Sequence, residues 1–96
     1  MKKVLITGAA SGLGRAMALR YAREGAHICI ADINMEGAAE TLSMVENAGG
    51  KGWIHELDVR SEEAWNQLHR EVVSRWNGID IVINNAGVAT GDRIED

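Results

Sequence analysis

The chain has 96 residues, of which 46% are hydrophobic and 25% charged, and its formal net charge is −4. This length allows one domain with a modest core, and the acidic balance argues against a nucleic-acid-binding surface. The apolar runs are only long enough for strands, so none predicts a membrane span. The single cysteine, Cys29, excludes an internal disulfide bond and suits a reducing compartment. We therefore expect a cytoplasmic protein without nucleic-acid or membrane partners.

Strand-like and helix-like segments alternate along the chain. The pattern predicts strands over 3–7, 26–31, 51–57 and 79–83, and helices over 13–24, over 35–48 and from the Ser61 cap to Asn77-Gly78. This alternation indicates an α/β fold with a parallel sheet. With a glycine-rich first turn, the expected strand order is 3-2-1-4, and a ligand is expected at the carboxyl ends of strands 1 and 4.

The first strand ends in a turn with glycines at positions 8, 12 and 14 and leads directly into a helix. A helix N-terminus stabilises an anion, and glycine lets the backbone approach it closely. A Walker A loop needs Lys and Ser or Thr after its second glycine, but Arg15 and Ala16 stand there; a protein-kinase loop needs glycine at Met17. A dinucleotide-binding turn remains, with Gly8 for the tight turn, Gly12 for the approach to pyrophosphate and Gly14 for helix–strand packing.

Asp32 follows the second strand, where an acid can accept hydrogen bonds from an adenosine ribose. An acid also repels a 2′-phosphate, and the next residues, Ile33 and Asn34, are not basic. Ser11, rather than a basic residue, precedes Gly12. These positions predict NAD rather than NADP as the cofactor. Arg15 is the nearby base that could weaken this preference, and we expect it to be a solvated helix residue.

Further polar positions mark the ends of strands 3 and 4. Asp58-Val59 suits the edge of an adenine, and Asn84-Asn85-Ala86-Gly87 can tie strand ends together and leave access to a ribose; each is also compatible with an ordinary polar turn. His27 and Cys29 share a strand face, but no further ligand has metal spacing. We therefore expect structural roles for both and no metal site.

Taken together, these motifs resemble the short-chain dehydrogenase/reductase family. Thr7 to Gly14 is similar to its T-G-x-x-x-G-x-G turn, Asp32 to its NAD-selecting acid, Asp58-Val59 to its adenine contact and Asn84 to Gly87 to its N-N-A-G motif. The resemblance implies a Rossmann-type, doubly wound sheet, with residues 1–96 forming the N-terminal part of one NAD-binding domain. It also implies a cofactor site lined by Gly8, Ser11, Gly12, Leu13, Gly14, Asp32, Ile33, Asp58, Val59, Asn85, Ala86 and Gly87.

The resemblance further implies an oxidoreductase that transfers hydride between NAD(H) and a secondary alcohol or ketone, and a full-length form that is a homo-oligomer. The family's catalytic Tyr-x-x-x-Lys pair and serine have no match, because the only tyrosine, Tyr21, lies on the first helix and is followed four residues later by Gly25. The sheet would break off after strand 4, as in an N-terminal fragment. We therefore predict no catalytic residues in these 96 residues and expect the isolated chain to be inactive.

An alternative is that the chain is a non-catalytic dinucleotide-binding half-domain or an inactive fragment. The apolar strand 4, with Ile79, Ile81, Val82 and Ile83, would form an exposed sheet edge. We therefore expect the isolated chain to aggregate.

Overall fold

In the computed structural model, which describes residues 1–85, strands and helices alternate strictly. The elements are β1 (Lys3–Thr7), α1 (Gly12–Ala22), β2 (His27–Asp32), α2 (Met35–Asn47), β3 (Lys51–Glu56), α3 (Glu62–Arg75) and β4 (Ile81–Asn84). All neighbouring strands pair in parallel, in the order β3-β2-β1-β4. The predicted α/β fold and strand order are therefore confirmed.

The element boundaries lie within two residues of those predicted. Helix α1 ends at Ala22 rather than at 24, and the chain then turns through Gly25, whose φ of 82° is in the left-handed region that favours glycine. Strand β4 begins at Ile81 rather than at 79. The Asp80 carboxylate accepts the backbone N–H of Lys3 at 2.8 Å, so a side chain takes part in the pairing at this end of the strand.

Two apolar layers cover the two faces of the sheet. On one face, alternate residues of β1 and β2 pack against the small side chains of α1 and α2 in a buried cluster that includes Val4, Ile6, Ala18, Ile28, Ile30, Ala38 and Val45. On the other face, the intervening residues pack against α3 in a cluster of Leu5, Cys29, Ala31, Leu57, Leu68, Val72 and Trp76. Because both faces of β1 and β2 are buried, these strands need the unalternating apolar sequences that they have.

Helices α2 and α3 each begin with a side-chain cap. The Asn34 side chain accepts the backbone N–H of Gly37 at the start of α2, and the Ser61 hydroxyl accepts that of Ala64 at the start of α3. Within residues 1–85, no helix combines the length and the apolar character that crossing a membrane requires.

The buried thiol of Cys29 provides a test of this core. Cys29 is fully buried in β2, and burial raises its pKa to about 12, against a smaller opposing effect of the Arg75 charge. The thiolate is the reactive form, so we expect the folded chain to resist iodoacetamide at mildly alkaline pH and to react once unfolded in urea. Mass spectrometry of the alkylated chain measures this difference. Rapid modification without urea would contradict the packing of β2.

Strand β4 provides a second test, because among residues 1–85 it forms an edge of the sheet. Val82 on this strand is 57% exposed. An exposed apolar edge strand can pair with another chain, and lysine on such a strand opposes this pairing. We expect concentration-dependent self-association of the chain and a larger monomer fraction for Val82→Lys, measured by sedimentation velocity. Equal self-association of the unsubstituted chain and Val82→Lys would exclude strand β4 as the cause.

Candidate cofactor-binding site

The carboxyl ends of the parallel strands bring the marked loops to one edge of the sheet. The turn 8–14 follows β1, Asp32 ends β2, Asp58 follows β3, and Asn84-Asn85 end and follow β4. Because β1 lies between β2 and β4, the glycine turn is flanked by the strand ends that carry Asp32 and Asn84. The strand order thus assembles a single candidate site from segments far apart in the sequence. Ala86 and Gly87 lie outside the described residues.

The glycine turn has a geometry that side chains would disrupt. Gly8 and Gly12 have φ values of 71° and 59°, in the left-handed region. A Cβ atom on Gly14 would lie 2.2 Å from the carbonyl oxygen of Gly8, so the first turn of α1 contacts the end of β1 backbone to backbone. A Cβ on Gly12 would meet no atom within 4 Å. The space beside Gly12 is therefore open, as the approach of a ligand requires.

Helix α1 differs from the other two helices at its N-terminus. Ser11 is its N-cap residue, but the hydroxyl accepts no hydrogen bond from the first turn, and that turn contains no acidic residue. The first turns of α2 and α3 have both a side-chain cap and an acid, Glu36 in α2 and Glu62 and Glu63 in α3. The backbone N–H groups and the positive end of the α1 dipole thus lack an internal anion or cap. They can receive an external anion at this point.

Asp32 is already bound to the backbone on both sides. Its Oδ2 accepts the N–H of Ala10 at 3.0 Å, which links it to the glycine turn, and its Oδ1 accepts the N–H of Asn34 at 2.9 Å. Each carboxylate oxygen has a second lone pair, so the group can still accept hydroxyl hydrogen bonds. The carboxylate is therefore held in a fixed orientation beside the turn.

A cleft of about 290 Å³ lies between the ends of β2 and β3. Its lining includes Asp32, Ile33, Asp58, Val59 and Arg60, with Ala31 and Leu57 at its base. Ile33 is 57% exposed although it is a large apolar residue. The four sequence-predicted residues at these strand ends therefore share one partly apolar cleft, which suits a flat ring.

Arg60 pairs with Asp58 at this cleft, a contact that the sequence analysis did not anticipate. Its guanidinium donates to both carboxylate oxygens, at 3.1 and 3.2 Å, and its backbone N–H donates to Oδ1 at 3.0 Å. These hydrogen bonds, led by the one from the side chain, hold the pKa of Asp58 below its ordinary value. The Asp-x-Arg spacing could have indicated this ion pair from the sequence, because a turn can place two such residues in contact.

The asparagines tie the end of β4 to β1. The Thr7 hydroxyl donates to Oδ1 of Asn84 at 2.9 Å, and Nδ2 of Asn85 donates to the carbonyl oxygen of Gly8 at 3.2 Å. The predicted role of asparagine side chains in joining strand ends is thus seen directly. These contacts place Asn85 next to the start of the glycine turn.

The expectation that Arg15 is a solvated helix residue is wrong. Its side chain is only 24% exposed, and its guanidinium donates to the carbonyl oxygens of Ala10 and Gly37 at 2.6 and 3.1 Å. It also donates to the Thr41 hydroxyl at 2.8 Å and pairs with Glu40 at 3.2 Å. The Arg15 side chain is not solvated because α2 packs against the glycine turn and provides acceptors for it. The sequence of α1 alone does not reveal these acceptors.

Two other titratable residues lie away from the candidate site. Tyr21 packs against the apolar cluster between the sheet and α1–α2, away from the carboxyl ends of the strands. His27 is half-buried at the start of β2, at the opposite edge of the sheet. No group of three or more His, Cys, Asp or Glu side chains within residues 1–85 is placed to hold a metal ion.

Comparison with known proteins agrees with this geometry. The sequence model of the family described as short chain dehydrogenase matches residues 2–96. The chain is 40% identical over 97 residues to an uncharacterized oxidoreductase, YuxG, of Bacillus subtilis, covering 99% of this chain and 14% of that protein. It is 38% identical over 99 residues to a 3beta-hydroxysteroid dehydrogenase of Mediterraneibacter gnavus, covering 99% of this chain and 36% of that protein.

A solved structure extends the similarity to the fold. An NAD+-bound xylitol dehydrogenase superposes with a TM-score of 0.80 and 36% sequence identity, covering 84% of this chain and 31% of that one. The chain thus spans from about a seventh to about a third of the length of these proteins. The strand order, the glycine turn and the family match over nearly every residue lead to one conclusion: the chain belongs to the short-chain dehydrogenase family of oxidoreductases.

Proposed function

We propose that the chain binds NAD at the carboxyl edge of its sheet and forms the cofactor-binding part of an NAD-dependent oxidoreductase. The reaction is hydride transfer between NAD(H) and a secondary alcohol or ketone. The N-terminus of α1 is the observation that carries this proposal. It begins at an open glycine turn and lacks the side-chain cap and the acidic residues that α2 and α3 possess. A pyrophosphate supplies the missing negative charge.

Each described part of the site has a proposed role. The backbone of Gly8, Ser11, Gly12 and Leu13 holds the pyrophosphate, while Gly14 keeps α1 against β1. Leu13 is 67% exposed, and a bound dinucleotide would cover it. Asp32 binds the adenosine ribose, and Ile33 with Asp58 and Val59 encloses the adenine. Asn85 lies at the nicotinamide end, with which we also associate Ala86 and Gly87.

The charges around the ribose favour NAD over NADP. Asp32 would repel a 2′-phosphate, and the guanidinium of Arg15 is engaged by two carbonyl oxygens, a hydroxyl and Glu40. The N–H groups of Arg15 that make these contacts are therefore directed to α2 and the turn. The similarity to an NAD+-bound xylitol dehydrogenase supports the same choice of cofactor.

The proposed chemistry requires groups that residues 1–85 do not bring to the site. When bound, the nicotinamide ring accepts or donates the hydride, and an oxidoreductase of this kind also needs a proton donor or acceptor near the substrate oxygen. The only tyrosine, Tyr21, is partly buried against the apolar cluster on α1. We propose that the catalytic tyrosine, lysine and serine belong to a longer protein. The alternative is that the chain acts as a non-catalytic NAD-binding half-domain.

Further proposals concern the setting of this activity. The substrate is a small molecule, because the named dehydrogenase relatives act on such compounds. We propose a homo-oligomer for the full-length protein, and a cytoplasmic location because the free, buried Cys29 suits a reducing compartment.

Cofactor choice is tested by titrating NAD and NADP into the Val82→Lys chain, in which we expect reduced self-association. We expect NAD to bind about tenfold more tightly than NADP or better, because the Asp32 charge repels the 2′-phosphate. Asp32→Asn should weaken NAD binding about tenfold and bring the two dissociation constants together. Isothermal titration calorimetry measures both constants.

Glu46→Gln is the matched control, since it makes the same change of charge at an exposed position near the end of α2. Protection of Cys29 from iodoacetamide establishes that each variant is folded. A folded chain that binds no NAD would overturn the cofactor proposal. Tighter binding of NADP than of NAD would overturn only the preference.

Catalysis separates the parent-enzyme proposal from the half-domain alternative. We expect the isolated chain to form no NADH from a panel of secondary alcohols, even where NAD binds, because it has no match to the family's catalytic Tyr-x-x-x-Lys pair. The product of the reading frame extended past Asp96 should form NADH, measured by fluorescence. An extended frame without a Tyr-x-x-x-Lys sequence would leave the half-domain as the better description.

A further inference from the structure

Arg15 and Thr41 connect the glycine turn to α2 through groups that face away from the proposed cofactor. Thr41 lies on α2 and is fully buried. Its hydroxyl accepts a hydrogen bond from Nε of Arg15 at 2.8 Å and donates one to the carbonyl oxygen of Ala9 at 2.7 Å. Nη2 of Arg15 donates to the carbonyl oxygen of Ala10 at 2.6 Å. Two consecutive carbonyl groups of the turn are therefore held by this pair of side chains.

The backbone of α2 lies equally close to the turn. A Cβ atom on Gly37 would be 2.9 Å from the carbonyl oxygen of Ala10, and the Gly37 carbonyl itself accepts from Arg15 at 3.1 Å. The contact leaves no room for a side chain at position 37. Arg15 thus fills a defined position between the two segments, and Glu40 balances its charge at the surface.

Because a peptide group is planar, fixing the carbonyl groups of Ala9 and Ala10 also fixes the direction of the N–H groups that follow them. The C=O of one residue and the N–H of the next lie in one rigid plane and point in opposite directions. Holding the Ala9 carbonyl at Thr41 directs the N–H of Ala10 away from Thr41, and it donates to Asp32 at 3.0 Å. Holding the Ala10 carbonyl at Arg15 directs the N–H of Ser11 away from α2, and Ser11 is exposed.

We propose that Arg15 and Thr41 are positioning residues for cofactor binding. They fix the two peptide planes that aim Ala10 at the ribose-binding acid and Ser11 at the pyrophosphate. This proposal rests on the proposed NAD site and deepens it, because it assigns the preorganisation of the turn to two side chains that do not touch the cofactor. A preformed turn binds more tightly because less ordering accompanies binding.

Four variants in the Val82→Lys chain test the proposal. Thr41→Val removes the hydroxyl at nearly constant shape, whereas Thr41→Ser keeps it. Arg15→Gln removes the guanidinium, and Arg20→Gln is its control at an exposed position of the same helix. Thr41→Val and Arg15→Gln should each raise the Kd for NAD about tenfold, while Thr41→Ser and Arg20→Gln stay within about twofold.

Amide hydrogen exchange of the cofactor-free chain supplies a second readout that does not depend on NAD. Thr41→Val and Arg15→Gln should speed exchange of the Ala10 N–H, beyond any change at the core strand β2 that reports global unfolding. Combining both substitutions should raise the Kd by less than the product of the single effects, because the two side chains act on the same turn. The salt dependence of NAD binding should change little in Arg15→Gln, since its guanidinium is held on the α2 side of the turn and pairs with Glu40.

The outcomes separate this proposal from the NAD assignment. If the starting chain binds no NAD, the cofactor proposal fails, and exchange at Ala10 still decides whether Arg15 and Thr41 order the turn. Unchanged exchange and unchanged Kd in both Thr41→Val and Arg15→Gln overturn the positioning role. So does a loss in Thr41→Ser as large as that in Thr41→Val, because the hydroxyl would then not be the group that matters. A reduced salt dependence in Arg15→Gln would show that the charge of Arg15 acts on the phosphates, which would overturn a role through the turn alone.

Discussion

The close contact between the Gly8 carbonyl and the first turn of α1 is the constraint on which the site depends. A Cβ at position 14 would overlap the Gly8 oxygen at 2.2 Å, so the helix can start this near the strand only with glycine there. The resulting short turn places the N-terminus of α1 at the carboxyl edge of the sheet. The open first turn of the helix is then available to an anion instead of being buried or capped.

The two-sided core determines where the other site residues lie relative to this turn. Since β1 and β2 bury both faces, a shift of one residue in their pairing would place core residues on the wrong face. The observed register pairs Thr7 with Ala31 on one side and with Asn84 on the other. Asp32 and Asn85 therefore follow directly on either side of the turn, and hydrogen bonds from Ala10 and to Gly8 join them to it. Packing of apolar side chains thus positions the polar ones.

The fold and the outline of the site could be predicted because they depend on short-range patterns. Apolar runs, glycine spacing and residues such as Asp32 at strand ends are visible in the sequence. In a parallel sheet, the residues that follow the strands all lie at the carboxyl edge. The contacts of Arg15 and Thr41 could not be predicted in this way. Thr41 lies among the apolar residues Ala38, Leu42 and Val45, and only the packing of α2 on the turn explains a buried hydroxyl there. The position of Thr41 on an apolar helix face could have indicated a hydrogen bond of its hydroxyl, since a buried hydroxyl needs a partner. It could not have indicated which residue that partner is.

At the candidate site, the side chains of Arg15 and Arg60 are both engaged by acceptors of the protein itself. Arg60 is 84% exposed, and ion pairs of that exposure contribute little to stability. Its effect is local: it keeps Asp58 ionised and fixes the carboxylate at the rim of the cleft. Arg15 is engaged in a similar way by carbonyl groups and Glu40. Both guanidinium groups are engaged by acceptors of the protein, whereas the Asp32 carboxylate accepts the backbone N–H groups of Ala10 and Asn34. At the proposed ribose position that carboxylate would stabilise a hydroxyl and repel a 2′-phosphate, so the engagement of the two arginines supports the proposed choice of NAD.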